Sequence, residues 1–271
     1  MTEHDEIKKQ KAREARGKIT PDFVRQFRTL SDQDLVALFQ DNDSRLRTAA
    51  AQIFGQRKAV MAIPDLCRQF AEEKALYTRI ALSDALSQIG AAAIPELIPY
   101  IGEVGSSQHA DLPSTIFKKW SYPLPRDLVI RCIIRMGIPA LAELNSYLFN
   151  RDETLIREVI DGIGHISFYC HDQSSLNNVL KIVTQYPDHP VIVWKVIRAL
   201  QAFSDQEALQ VLQHFLLESG IPQHRWEAAR SLGQIATENA TECLTMAQSD
   251  VDPRVRAMVG LALTHVASTR N

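Results

Sequence analysis

A four-residue phrase, Ile-Pro-x-Leu, opens an apolar run three times: Ile63-Pro64-Asp65-Leu66, Ile94-Pro95-Glu96-Leu97 and Ile138-Pro139-Ala140-Leu141. Proline is tolerated in the first turn of a helix because its missing N–H has no partner there, so each phrase predicts a helix start. Each is preceded by a second helical stretch: Arg45 to Phe54, Thr78 to Gly90, and Asp127 to Gly137. Asp41-Asn42-Asp43-Ser44 supplies capping oxygens for the first of these, and Gly55 is placed to end it. Later pairs are more divergent but keep the rhythm: Glu153 to Ser167 with Ser175 to Gln185, Pro190 to Phe203 with Asp205 to Glu218, and Arg225 to Ile235 with Thr237 to Gln248. A terminal helix opens at Asp250 and ends near Val266.

Strand-like alternation is absent. A helical pair of thirty-odd residues cannot bury its own apolar stripe, so neighbouring pairs must stack into one continuous core. The expected fold is all-α: a right-handed α-α superhelix of about six helical pairs with terminal capping helices.

Two phrases carry a resemblance. Asp43-Ser44-Arg45-Leu46-Arg47-Thr48-Ala49-Ala50 and Asp250-Val251-Asp252-Pro253-Arg254-Val255-Arg256-Ala257 resemble the HEAT repeat, in particular its short, phycobilisome-lyase-like form, which builds an armadillo-like superhelix. The resemblance spans about Asp41 to Val266. It implies the fold and leaves function open, because such families include scaffolds, transport adaptors, chromophore lyases and a DNA glycosylase branch. Adjacent repeats commonly pair their charges into a ladder, so Asp43, Arg47, Asp252 and Arg256 are expected to be structural.

On this reading residues 1–271 form one solenoid domain, with a frayed basic segment at 1–19, an N-terminal cap at 20–40 and repeats over 41–266. Thr20-Pro21-Asp22 and Ser31-Asp32-Gln33-Asp34 are the capping sequences of that N-terminal pair. Lys and Arg total 30 against 32 Asp and Glu, so no global field favours nucleic acid or an anionic membrane, and any charge-driven partner must meet a local patch. Cys67, Cys132, Cys170 and Cys243 are widely spaced without a Cys-x-x-Cys pair, which points to a reducing compartment. With no signal-peptide pattern and no apolar run of membrane-spanning length, the expected location is the cytoplasm.

The Ile-Pro-x-Leu phrases begin 31 and then 44 residues apart, and the thirteen-residue excess marks an insertion over 104–125. Three prolines and two glycines around it exclude a continuous helix, yet Ile116, Phe117, Trp120 and Tyr122 are too apolar for a solvated linker. Two readings compete. In one, Phe117, Trp120 and Tyr122 plug a gap where the insertion disturbs stacking. In the other, His109, Phe117, Lys118, Lys119, Trp120, Tyr122, Arg126, Arg131 and Arg135 form an aromatic and basic lip on the concave groove, which captures an acidic or phosphorylated segment of another protein. Arg131 and Arg135, one turn apart, share a helix face there, and Asp127 is in reach of Arg131.

A catalytic reading has less support. His165, Cys170 and His171 are close in sequence but lack zinc-ligand spacing, and no nucleophile elbow, phosphate loop or His-Glu-x-x-His pair is present. A base-excising enzyme would need aromatic walls and a carboxylate, for which Trp194, Trp226 and Asp161 are the available residues. The sequence therefore predicts a protein-binding scaffold with no cofactor, no metal and no catalytic residue. A DNA-binding or DNA-repair protein is the main rival, and a bilin-lyase-like enzyme the third reading.

Overall fold

The computed structural model describes residues 3–150 and 152–269, so the first two residues of the basic segment lie outside it. The chain divides into two compact units where the sequence reading expects one domain: the first ends at Val104 and the second begins at Gly105, at the start of the insertion. Among the described residues there is no β-strand, and no helix is long and apolar enough to cross a membrane.

In the first unit, α1 (Glu3–Glu14), α2 (Pro21–Arg25) and α3 (Asp32–Ala37) precede two long helices, α4 (Ser44–Arg57) and α6 (Leu76–Ile89), with α5 (Ile63–Glu72) between them and α7 (Ile94–Leu97) after. The capping residues act as their sequence predicts: Thr20, Ser31 and Asp43 accept from the backbone N–H of Phe23, Asp34 and Arg45. Gly55 does not end α4. The helix runs on to Arg57 and stops at Lys58, whose φ of 49° is left-handed, while Gly55 lies where a Cβ would come within 2.8 Å of the Ala85 Cα. Its role is the close approach of α4 and α6.

The basic segment is helical over α1, and the chain after it is tied down. The Ser44 hydroxyl donates to Ala15 O at 3.1 Å, and Tyr77 N donates to Arg16 O at 2.9 Å. Of the repeat charges, Arg47 meets Glu73 bidentately at 2.8 and 2.9 Å, a tie between repeats, whereas Asp43 pairs with Arg45 inside its own turn.

The second unit alternates two layers. Helices α8 (Leu128–Ile133), α10 (Glu153–Cys170), α12 (Pro190–Ala199), α14 (Pro222–Ile235) and α16 (Pro253–Thr269) pack side by side as one row. Helices α9 (Leu141–Tyr147), α11 (Leu176–Gln185), α13 (Gln206–Glu218) and α15 (Glu238–Met246) back that row. The stacked pairs are an α-α solenoid. Arg225 pairs with Asp250 across repeats at 2.7 Å, Asp252 with Arg254 locally, and Arg256 caps carbonyls of Asp250 and Val251.

Candidate functional site

The row of α10, α12 and α14 carries six charged side chains no more than 2% exposed: Glu158, Asp161, Lys195, Arg198, Glu227 and Arg230. They alternate in sign along a chain of contacts. Lys195 Nζ lies 2.7 Å from Glu158 and 3.0 Å from Asp161; Arg198 is 3.6 Å from both Asp161 and Glu227; Arg230 Nε meets Glu227 at 2.8 Å. The Trp194 indole donates to the other Glu227 oxygen at 3.0 Å. Burial drives the Glu158 carboxyl up to about 6 against the pull of Lys195. Burial also opposes ionisation of Asp161, but Lys195 and Arg198 outweigh it and hold that carboxyl below its usual range.

Three acids and three bases balance formally, yet each buried ion costs several kcal/mol of lost hydration, and apolar replacements of such pairs are often about 1–4 kcal/mol more stable. Stability alone is thus a poor reason for this row. Perturbed, buried charges on one face mark a functional-site candidate.

Residues 109–122 lie over the row as a strap without helix or strand. His109 meets the Trp194 ring edge-on at 5.0 Å, and Phe117 sits 6.1 Å from Trp194 and 6.2 Å from Trp226. The Arg198 guanidinium lies over both the Phe117 and Trp194 rings, at 4.8 and 3.9 Å. Trp120 stacks on His265 of α16 at 4.3 Å, and Tyr122 packs on His165 and Phe168 of α10. The carbonyl of Lys119 accepts from Arg230 Nη1 at 3.0 Å. Beneath the strap, Asp161 Oδ1, Arg198 Nε and Nη2, Arg230 Nη2, the Tyr122 hydroxyl and both His109 ring nitrogens have no hydrogen-bond partner within the protein.

Residues 177–264 match the family model described as HEAT repeats. This stretch consists of HEAT repeats. No curated protein matches the chain in sequence. Among solved structures the chain is similar to an engineered protein (17% identity, 88% of this chain and 96% of that one, TM-score 0.41) and to human deoxyhypusine hydroxylase in complex with glycerol (16%, 90% and 88%, 0.40). It is also similar to a designed armadillo repeat protein (14% identity, 87% of this chain and all of that one, TM-score 0.39). The HEAT stretch contains four of the six buried charges, Lys195, Arg198, Glu227 and Arg230, and the Trp120 seat at His265 lies one residue beyond it.

The predicted site residues separate into two sets. His109 and Tyr122 are buried and Phe117 and Trp120 half-buried, all turned onto the helix row, while Lys118, Lys119, Arg126 and Arg135 are exposed. Arg131 is not an outward cation: its Nε donates to Pro125 O at 2.6 Å. Asp127 caps α8 through Ile130 N at 2.8 Å and accepts from Gln108, so the expected Asp127–Arg131 helical pair gives way to capping. Arg131 and Arg135 also do not share one α-helical face, because α8 tightens to a 3-10 turn at Ile134–Met136.

His165 lies inside α10 against Tyr122, whereas Cys170 ends the helix and His171 adopts the left-handed cap, φ 54°. Among the described residues no three His, Cys, Asp or Glu side chains converge as metal ligands. Trp194 and Trp226 both meet Phe117 of the strap, but Trp194 is bonded to Glu227 and Asp161 to Lys195.

The row itself escapes a reading by motif, although a signal exists. Glu158-Val159-Ile160-Asp161, Lys195-Val196-Ile197-Arg198 and Glu227-Ala228-Ala229-Arg230 each set two charges three apart around two apolar residues, in successive helices of one layer. At helical spacing each pair shares a face, and the apolar residues between them put that face at the edge of the core.

Proposed function

We propose that the chain is a protein-interaction scaffold that receives an acidic or phosphorylated segment of a partner protein on the outer edge of the strap, at Lys118 and Lys119 with Arg126 beside them. One observation carries this reading: the two lysines are exposed while the backbone on either side is pinned, by Phe117 and Trp120 on the helices and by the Lys119 carbonyl on Arg230. Cations held on a fixed backbone lose less conformational entropy on binding than cations on a free loop, and two adjacent ammonium groups suit carboxylate or phosphate. The net charge of −2 adds no long-range attraction for an acidic segment, so recognition rests on this local edge.

The test is titration of the full chain with a glutamate-rich peptide, its phosphoserine counterpart and single-stranded DNA at two salt concentrations. The expected result is saturable binding of an acidic peptide that weakens at least tenfold, about 1.4 kcal/mol, in Lys118→Glu with Lys119→Glu. Peptide binding indifferent to both reversals removes the strap edge from the function. Tight, steeply salt-dependent binding of DNA alone replaces the reading with a nucleic-acid one.

A further inference from the structure

Residues 109–122 sit on the α10, α12, α14 and α16 face in the manner of a bound peptide. The segment has neither helix nor strand and bends at 110–111, 114–115 and 120–121. It enters the face with side chains at positions 117, 120 and 122, and its main-chain carbonyls at Ala110, Lys119 and Tyr122 accept from Arg157, Arg230 and Tyr169. The seats belong to the helices. Gly164 leaves room for the Tyr122 ring, whose hydroxyl a Cβ there would strike. Gly233 serves the approach of α14 to Ala262 of α16 first, at 2.6 Å from the position of an added Cβ, and to Trp120 Cζ3 at 3.1 Å second.

The polar groups of the face are not used up by this occupant. Asp161 Oδ1 and Arg198 Nε are engaged only at an ion-pair distance of 3.6 Å, and Arg198 Nη2 and Arg230 Nη2, on side chains at most 2% exposed, have no hydrogen-bond partner in the protein. A core packed only for stability leaves few such atoms. A recognition face keeps donors and acceptors for a ligand that its resident occupant does not fully imitate.

We propose that this face is a peptide-binding groove, that residues 109–122 are its exchangeable internal ligand, and that its outside partner is a non-helical protein segment with aromatic side chains at the spacing of Phe117, Trp120 and Tyr122. This goes beyond the strap-edge reading, because the surface is the one beneath the strap. Tethering gives the internal segment a high effective concentration, so an outside segment binds only to the open fraction and its apparent affinity falls by that fraction. Weakening the strap therefore strengthens binding in trans.

The experiment uses the full chain and a fluorescein-labelled synthetic peptide copying residues 109–124, read by anisotropy. Phe117→Ala with Trp120→Ala, its fold checked by circular dichroism, is expected to bind the peptide at least tenfold more tightly than the unaltered chain. A folded variant that binds no peptide, or binds it no better than the unaltered chain, overturns the proposal. The unaltered chain supplies a second reading that needs no variant. Trypsin cleavage after Lys118 or Lys119 in increasing urea is expected to show a shallow denaturant dependence, the mark of local opening. Cleavage whose urea dependence equals that of tryptophan-detected global unfolding makes the strap a fixed part of the core and overturns the proposal.

Discussion

At His109 the strap carries an ionisable ring into a place where neither nitrogen has a hydrogen-bond partner in the protein. Burial, reinforced by Arg198, Lys195 and Arg126 and opposed by Asp161, lowers this histidine from 6.5 to about 3. The folded chain holds it neutral while the unfolded chain protonates it below 6.5. Its stability contribution is therefore full above that pH and is lost as pH falls towards about 3, with about 2 kcal/mol gone at pH 5. His165 and His224 are lowered by burial and act in the same direction. Glu158, raised from 4.5 to about 6, acts oppositely: its contribution is full below 4.5 and is lost as pH rises through about 6. Comparison with His109→Phe, which keeps a ring against Trp194, cancels the shared groups. Between pH 7 and pH 5 the unaltered chain is expected to lose about 2 kcal/mol more than the variant in urea unfolding. Equal losses would mean that His109 titrates as a solvated ring.

Helices show where sequence reasoning succeeds and where it stops. The pairs are legible because their signals are local: Pro64, Pro190 and Pro222 open helices, and Asp152, Asp205 and Thr237 cap them within three residues. Gly55 shows the limit, because a glycine near the end of an apolar run reads as a terminator and only the neighbouring helix reveals a contact. The candidate site is less legible still. The bond from Arg230 to Lys119 joins residues 111 apart, and the partners of Glu158, Asp161 and Trp194 lie one repeat away, so no local rule couples them. The aromatic content of the insertion was readable; the surface that it covers was not. The same contrast gives a paired prediction. Gly55→Ala places a methyl group against the Ala85 backbone and is expected to destabilise by about 1–3 kcal/mol despite better helix propensity. Gly260→Ala, on an exposed turn of α16 with nothing within 4 Å of the new Cβ, is expected to stabilise by roughly 0.5–1 kcal/mol. Opposite shifts in thermal midpoint check both, and a stabilising Gly55→Ala would return that glycine to an incidental role.

Across the whole molecule, the strap changes how a repeat array shares its stability. In a plain solenoid each repeat holds only its neighbours, and stability is close to a sum of nearest-neighbour terms. In the second unit the strap ties α10, α12, α14 and α16 together at once, through Tyr122, Phe117, the Lys119 carbonyl and Trp120. Such a tie penalises states in which one end is open and the other closed, so the unit should unfold as one block. Trp120, Trp194 and Trp226 all belong to this unit, and fluorescence therefore reports on it alone. A chain of residues 105–271 is expected to fold without the first unit and to unfold in urea with coincident fluorescence and far-ultraviolet dichroism transitions. In Phe117→Ala with Trp120→Ala the tie is cut, nearest-neighbour behaviour returns, and the two transitions separate. Coincident transitions in the variant would show that helix-to-helix packing alone couples the row and that the strap only rests on it.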